Sequence, residues 1–452
     1  MYSRVVETTT DDSPLQQVSR ADERAAPTLI VAHAANPALV GARQQVNHGR
    51  PMILGRTAKG ALPGVFEDSS VSREHAKVGF APSRRVVLTD LGSRNGTELN
   101  GRLLSVPTAL RPGDVIRIGN VILVYQEQRP FVQPSVRSTL RGISQPIAHV
   151  VQQIAHLAAH PYAILVIGET GTGKEVVAEE LHRHGQRSGR LVTLNCSSVA
   201  ESLLHTELFG HARGAFTGAE RARPGLLDTA RQGTLFLDEL TDASPAFQAS
   251  LLRLLETGEY RQVGSDHVSQ SDARFVAAAQ PRLVELRDRG EFRQDLWMRL
   301  SSWAITLPPL RERPEDIPLL VQHFAAHAPG AGAPVVFSEP LLAALMRQPW
   351  PGNVRQLKNV VMRLGIGHSG AAPVGLAAFE DLDIGFRTLQ ARHEQSDFSA
   401  TVAAAKPDSE TLRACLKEHA GNVRRVAEHF GVTRKTLYRW CKVHGHDPTT
   451  FR

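Results

Sequence analysis

Eight residues constrain this chain more than any other segment: Gly168, Glu169, Thr170, Gly171, Thr172, Gly173, Lys174 and Glu175. They match the spacing Gly-x-x-x-x-Gly-Lys. The apolar run YAILVIG (162–168) leads into them and reads as a buried strand, and EVVAEELHRH follows with helical character. Glycines let backbone N–H groups converge on phosphate oxygens, and the start of the helix adds its positive dipole end. Lys174 brings a point charge to the outer phosphates. An ordinary Gly-rich surface turn is the competing reading, which the flanking strand and helix disfavour. The general pattern has Ser or Thr after the Lys to hold Mg²⁺, and Glu175 stands there instead. The loop predicts ATP as the ligand.

A second apolar run, GTLFLDE (233–239), ends in two acids. At the end of a buried strand beside such a loop, one carboxylate can hold Mg²⁺ and the other can orient an attacking water. Asp238 is assigned to the metal and Glu239 to the water.

With 452 residues, two to four domains are expected at roughly 100–200 residues each. Residues 1–27 are polar and aperiodic and read as disordered. Residues 28–126 read as an all-β block of short strands broken by tight turns such as GSRNGT (92–97) and NG (100–101). A linker is expected at 127–137. Residues 138–370 alternate strand and helix patterns, the mark of an α/β domain. A second linker is expected at 371–410, and 411–452 reads as all-α with one sharp turn. Most of the formal charge of +7 is local, since 411–452 carries nine Lys or Arg against three Asp or Glu. That patch suits a polyphosphate partner, with a solvated basic tail as the alternative. Cys196, Cys415 and Cys441 are odd in number and poorly spaced for a disulfide framework or a metal site. No apolar run approaches the ~18 residues of a membrane span. A reducing, cytoplasmic setting without a membrane partner is expected.

The segment 168–361 resembles the central ATPase domain of sigma-54-dependent transcriptional activators, a branch of the AAA+ family. The resemblance rests on GETGTGKE, NCSSV (195–199), ELFGHARGAFTGA (207–219), GTLFLDE, FRQDLWMRL (292–300), LPPLRERPEDIPLL (307–320) and WPGNVRQLKN (350–359). It implies an α/β P-loop ATPase with an α-helical lid that acts as a homo-oligomeric ring, a hexamer in the family pattern. It also implies that Gly214, Ala215, Phe216, Thr217, Gly218 and Ala219 form a mobile loop touching sigma-54 RNA polymerase. Asn195 matches the residue that holds Glu239 until the nucleotide changes. Arg293 and Arg299 match arginines that reach a neighbouring subunit's site, and pairing with Glu291 or Asp295 is their bland alternative. Arg355 matches a lid residue that senses nucleotide. Two positions depart from the pattern: the sensor strand ends Ala278-Ala279-Gln280 where Ala-Thr-Asn is usual, and Asp228 stands where Glu is usual.

The all-β block resembles a forkhead-associated (FHA) sandwich in Gly55-Arg56, Ser72-Arg73-Glu74-His75, Asp90-Leu91-Gly92-Ser93 and Asn95-Gly96-Thr97. That family binds phosphothreonine, which implies Arg56, Ser72, Arg73, Arg94 and Asn95 as the phosphate-binding set and a phosphothreonine protein or Ser/Thr kinase as partner. His75 reads as a buried structural residue. The C-terminal segment resembles a Fis-type helix-turn-helix. Gly431 makes its turn, Thr433 caps the second helix, and Thr433, Arg434, Lys435, Thr436, Tyr438 and Arg439 are the expected contacts to double-stranded DNA upstream of a promoter. Leu437 and Trp440 read as core.

The chain is therefore expected to be a multidomain activator, built from an all-β FHA sandwich, an α/β AAA+ ATPase with a helical lid and an all-α helix-turn-helix. It would use ATP and Mg²⁺ to remodel sigma-54 RNA polymerase under phosphothreonine control. The alternative is a phosphopeptide-responsive DNA-binding adaptor whose ATPase senses nucleotide and turns over weakly.

Overall fold

The computed structural model describes residues 25–57, 62–129, 138–197, 201–217, 219–327, 335–366, 372–380, 382 and 409–419, with single positions beyond. The N-terminal block is a sandwich of two antiparallel sheets. One sheet has the order β2 (Arg43–Gln45), β1 (Ala26–His33), β10 (Val121–Gln128), β9 (Val115–Ile118), β6 (Thr97–Leu99), β7 (Arg102–Leu103). The other has β3 (Met52–Leu54), β4 (Ala76–Phe80), β5 (Val86–Asp90), β8 (Thr108–Ala109). Alternate residues of β1 and β10, namely Leu29, Val31, Val121, Leu123 and Tyr125, fill the space between the sheets.

The residues between them in sequence are buried too. Ile30, Ala32, Val115, Ile122 and Val124 belong to the opposite face, yet none is more than 3% exposed. A strand buried on both faces has a second layer over it. That layer is made by helices that follow the parallel sheet in sequence.

The α/β domain opens with α1 (Gln145–Leu157), whose first turn is fixed from a distance. Asp316, fully buried, accepts from the Ile143 and Ser144 N–H groups at 2.6 and 2.8 Å and from Ser144 Oγ at 2.7 Å. The sheet is parallel, ordered β12 (Leu191–Asn195), β15 (Thr234–Asp238), β18 (Arg274–Ala279), β11 (Ile164–Ile167), β19 (Ala304–Thr306). Its strands are apolar because helices cover both faces: α1 and α2 (Lys174–His184) on one, α5 (Pro245–Thr257) and α7 (Gln294–Ser301) on the other. In such sheets ligands bind beyond the carboxyl ends of the strands. Gly168, Asn195, Asp238 and Gln280 all lie there.

Arg274 binds this layer together. Its guanidinium, 1% exposed, donates to the carbonyls of Leu157 at 2.7 Å, Ala158 at 2.8 Å and Leu181 at 3.3 Å. These carbonyls lie at the C-terminal ends of α1 and α2, where those of Leu157 and Leu181 also accept from the N–H groups of His160 at 3.1 Å and Gly185 at 3.0 Å. Burial pulls the Arg274 guanidinium down to about 10.

The lid comprises α8 (Ile317–Ala326), α9 (Glu339–Met346), α10 (Asn353–Ile366) and α11 (Leu376–Glu380). In α9, Leu341, Leu342, Ala343, Ala344, Leu345 and Met346 are all buried. A helix apolar all round is covered on opposite sides. Here α8 packs on one side, and β9 and β10 of the sandwich lie on the other.

Several expected boundaries move. The disordered N-terminus cannot extend to 27, because β1 starts at Ala26, and Gln128, placed in the linker, ends β10 and is 7% exposed. The linker expected from 371 is corrected at its start. Val374 is fully buried and bridges to Phe337, and α11 follows. Five helical residues are too few to display a period in an Ala-rich stretch.

The C-terminal unit is described in part. A helix spans Ser409–Glu418, and Leu412, Cys415, Leu416, Val426, Trp440 and Cys441 form its core, with Trp440 buried as expected. The positions expected to meet DNA, from Thr433 to Arg439, lie outside the described residues, as does Leu437. Among the described residues no helix is long and apolar enough to cross a membrane.

Candidate active site

The Gly-rich loop leaves β11 and enters α2, as its flanking sequence predicts. Gly171 has φ +77°, and a Cβ there would collide with the Gly352 carbonyl of the lid. Only glycine meets both conditions. Lys174 is 7% exposed, and its Nζ donates to the carbonyls of Gly168 at 2.9 Å and Glu169 at 3.3 Å. Burial lowers its ammonium from the usual lysine range, while Glu239 and Asp238 oppose that shift.

A cavity of about 340 Å³ opens between the loop and the lid. Thr170 to Glu175, Asp238, Glu239 and Arg355 line it, so the structure gathers these expected residues in one place. Leu140, Leu320, His323 and Phe324, which sequence reasoning had not singled out, line it as well. Apolar and aromatic side chains in the same cavity as a phosphate cradle suit a flat heterocycle joined to phosphates.

Asp238 ends β15, beside Asn195 of β12 in the parallel register. Burial raises its carboxyl, against the Glu239 N–H bonded to Oδ1 at 2.9 Å and the charge of Lys174. Asn195 Oδ1 accepts from the Ser197 N–H and Oγ at 2.9 and 2.8 Å. Glu239 adopts left-handed backbone, φ 53° and ψ 41°. An unexpected amide meets it: Gln280 Nε2 donates to Glu239 Oε2 at 3.0 Å. The two acids supply hard oxygen donors beside the cradle, a set that fits Mg²⁺.

Arg311 and Asn353 also escaped the sequence reading. Arg311 grips Glu169 with both guanidinium arms, at 2.8 and 2.6 Å. Asn353 Nδ2 donates to Glu169 Oε2 and to the Thr170 carbonyl, both at 3.1 Å, and its Oδ1 accepts from the Leu310 N–H at 2.7 Å. Both sit inside the quoted blocks LPPLRERPEDIPLL and WPGNVRQLKN, but only the folded lid shows what they hold.

Arg293 and Arg299 are not among the residues lining this cavity. Arg293 pairs with Asp295 at 2.7 Å with both side chains about half exposed, and Arg299 donates to the Leu255 carbonyl at 3.1 and 3.2 Å. Within one chain, then, Arg293 takes the partner that the bland reading named. Asp228 accepts from the Gly225 N–H at 3.1 Å and the Tyr260 hydroxyl at 2.6 Å. Of the expected sigma-54 loop, Phe216 is 45% exposed and rests edge-on against His211, and Gly218 lies outside the described residues.

At one end of the sandwich the expected phosphate-binding residues converge. The Arg56 N–H donates to the Ser72 carbonyl, the Arg94 N–H to Ser72 Oγ, both at 3.1 Å, and Asn95 Nδ2 to the Ser70 carbonyl at 2.7 Å. Arg56, Arg73, Arg94 and Asn95 are exposed. His75 is fully buried, accepting from the Ser72 N–H and meeting the Gly96 carbonyl, each at 3.1 Å. It ties two loops together and is a structural residue.

The fold and cavity together define a P-loop α/β ATPase-type domain with a helical lid, joined to an FHA-type sandwich. Comparisons agree. The family profile described as sigma-54 interaction domain matches residues 140–306, and AAA+ ATPase lid domain matches 311–396. The FHA domain profile matches 52–119, and the profile for bacterial regulatory proteins of the Fis family matches 408–439. Transcriptional regulatory protein ZraR of Salmonella typhimurium is 40% identical over 300 residues, covering 66% of each chain. C4-dicarboxylate transport transcriptional regulatory protein DctD of Rhizobium meliloti is 40% identical over 310 residues, covering 68% of this chain and 64% of that one. The chain therefore spans just under two thirds of the length of these relatives. The crystal structure of NtrX from Brucella abortus in complex with ATP aligns at a TM-score of 0.50 and 31% identity, covering 68% of this chain and 70% of that one. This chain belongs to the family of sigma-54-dependent transcriptional activators.

Proposed function

We propose that the chain binds ATP in the cavity under the lid and hydrolyses it as a ring to remodel sigma-54 RNA polymerase. The observation that carries this reading is the meeting of Lys174, Asp238, Glu239 and Arg355 in one cavity. Lys174 and the loop N–H groups hold the phosphates, and Arg355 brings a lid charge to the same space. Bound Mg²⁺, held through Asp238, would neutralise charge on the phosphates. Glu239 orients water and takes its proton. Arg293 and Arg299, outside the cavity of their own chain, are proposed to complete a neighbour's site, Arg293 giving up Asp295 to do so. The loop from Gly214 to Ala219 is proposed to grip sigma-54 through exposed Phe216, and Thr433 to Arg439 to address the complex to DNA. Arg56, Ser72, Arg73, Arg94 and Asn95 are proposed to receive phosphothreonine. The test is ATP turnover that depends on Lys174, with transcription from a sigma-54 promoter that depends on Thr217.

One observation favours the second reading, a nucleotide-sensing adaptor with weak turnover. The amide of Gln280 occupies an oxygen of the very carboxylate that would activate water. Robust steady-state hydrolysis would exclude it.

A further inference from the structure

Helix α9 of the lid lies against the sandwich at both ends and is hydrogen-bonded to it at one. At its N-terminal end His33 of β1 lies 4.0 Å from Glu339. At its C-terminal end Arg347 donates from Nη1 to the carbonyl of Asn100, in the β6–β7 turn, and from Nε to its own helix at Ala343, 3.1 Å away. Between these ends the contact is apolar, made by the outer face of β9 and β10 against the buried side chains of α9. An interface of that character does not let two domains swing freely.

The β6–β7 turn is also joined to the phosphate-binding end of the sandwich. Asn95 and Gly96 lead directly into β6, which is three residues long, and Asn100 follows it. The turn is fixed from below, because Asn100 Oδ1 accepts from the Val115 N–H at 2.9 Å and Asn100 Nδ2 donates to Asp114 at 2.8 Å.

From Arg347 the chain runs through two prolines to the nucleotide cradle. Trp350, between Pro349 and Pro351, is fully buried, with its Nε1 donating to the Leu345 carbonyl at 2.8 Å. Trp350 and Asn353 both hold positive φ, 44° and 49°. Such backbone persists only where the surroundings fix it. Asn353 then bonds Glu169 and Thr170, and the Arg355 N–H meets the Gly171 carbonyl at 3.3 Å. A shift of α9 therefore arrives at the Gly-rich loop with little slack.

We infer that phosphothreonine bound at the Arg56–Asn95 end and ATP bound under the lid each tighten the other, through the grip of the β6–β7 turn on Arg347. The inference rests on the phosphothreonine reading of those loops. A ligand bridging Arg56, Ser72 and Asn95 orders the loop that begins β6. That firms the hold on Arg347 and keeps the 347–355 segment against the cradle. The coupling must be reciprocal, the same factor appearing in both affinities.

The test titrates a fluorescent ATP analogue into the full chain, with and without a saturating pool of phosphothreonine peptides. The unphosphorylated pool serves as control. The expected result is about fivefold tighter nucleotide binding with the phosphorylated pool, at the low end of ordinary coupling, and an equal gain for peptide when nucleotide is added. Arg347→Ala is expected to bind each ligand alone and to lose the coupling. Arg347→Met, which keeps the buried stem and so preserves the packing, is expected to lose it equally. Unchanged nucleotide affinity in a wild-type chain that binds both ligands would overturn the inference, as would coupling that survives both variants. A wild-type chain that binds no phosphorylated peptide would overturn the phosphothreonine reading itself, and the inference with it.

Discussion

Gln280 holds Glu239 by a hydrogen bond of 3.0 Å from its side-chain amide to a carboxylate oxygen, at the carboxyl edge of the parallel sheet. The Gln280 N–H is itself anchored on Thr241 Oγ1 at 2.9 Å, so the amide is presented from a fixed backbone. One such bond is worth about 1 kcal/mol net. Gln280→Asn withdraws the amide by a methylene and is expected to raise kcat for ATP about fivefold, the rate equivalent of that energy, with nucleotide affinity unchanged. Glu239→Gln is expected to lower kcat by about 10² or more while leaving nucleotide bound. A fall in kcat for Gln280→Asn in single-turnover assays would show that the amide positions the carboxylate for reaction instead of restraining it.

Arg274 concerns stability. Replacing it with Ala leaves the carbonyls of Leu157, Ala158 and Leu181 without their charged donor, and hydrogen bonds to charged groups contribute about 1.5–3 kcal/mol each. Arg274→Ala is expected to destabilise the ATPase domain by about 3–5 kcal/mol, measured as a lowered urea midpoint. A loss under about 1 kcal/mol would mean that water reaches these helix ends.

Glu315 makes stability depend on pH. It is 1% exposed, and burial, reinforced by the neighbouring Asp316, pushes its carboxyl up to about 7 from an ordinary 4.5. The folded chain therefore keeps a proton that the unfolded chain has lost between those values. Stability contributed by this group falls as pH rises through that window. Gln126 of the sandwich donates to Glu315 at 3.3 Å, so the interface between sandwich and ATPase should feel the change. The thermal midpoint is expected to drop between pH 5 and pH 7.5 more steeply in wild type than in Glu315→Gln. Parallel pH profiles would refute the assignment.

Arg56→Ala tests the input end. The side chain is exposed while its backbone N–H is bonded to Ser72, so truncation should spare the fold. Binding of phosphothreonine peptides is expected to fall at least tenfold, as for loss of a charge-assisted bond of about 1.5–3 kcal/mol. Equal binding of phosphorylated and unphosphorylated peptides to the wild type would remove phosphothreonine from the account.

The contrast between what was legible in the sequence and what was not has a physical origin. Gly168 to Glu175 and Asp238–Glu239 were readable because their geometry is local: a strand, a turn and a helix place them whatever lies elsewhere. Gln280, Arg311 and Asn353 matter through partners far off in sequence. Asn353 reaches Glu169, 184 residues away, and no periodicity reports such a contact. In the run from Asp114 to Tyr125, Val115, Ile122 and Val124 are buried on the face away from the sandwich core. The continuous apolar stretch VILVY was the visible trace of that second layer. In the same way residues 341–346 of α9 are all apolar, and the sequence does not show which side they share with another domain.

ATP turnover at Lys174 is proposed to reach sigma-54 through the loop that carries Thr217. It is tested most directly by transcription in vitro from a sigma-54 promoter, with ATP hydrolysis followed in the same reactions. Wild type is expected to hydrolyse ATP and make transcript, Lys174→Ala to do neither, and Thr217→Ala to hydrolyse at near the wild-type rate while making none. Transcript undiminished by Lys174→Ala, or equal transcript from Thr217→Ala and wild type, would rule out this coupling.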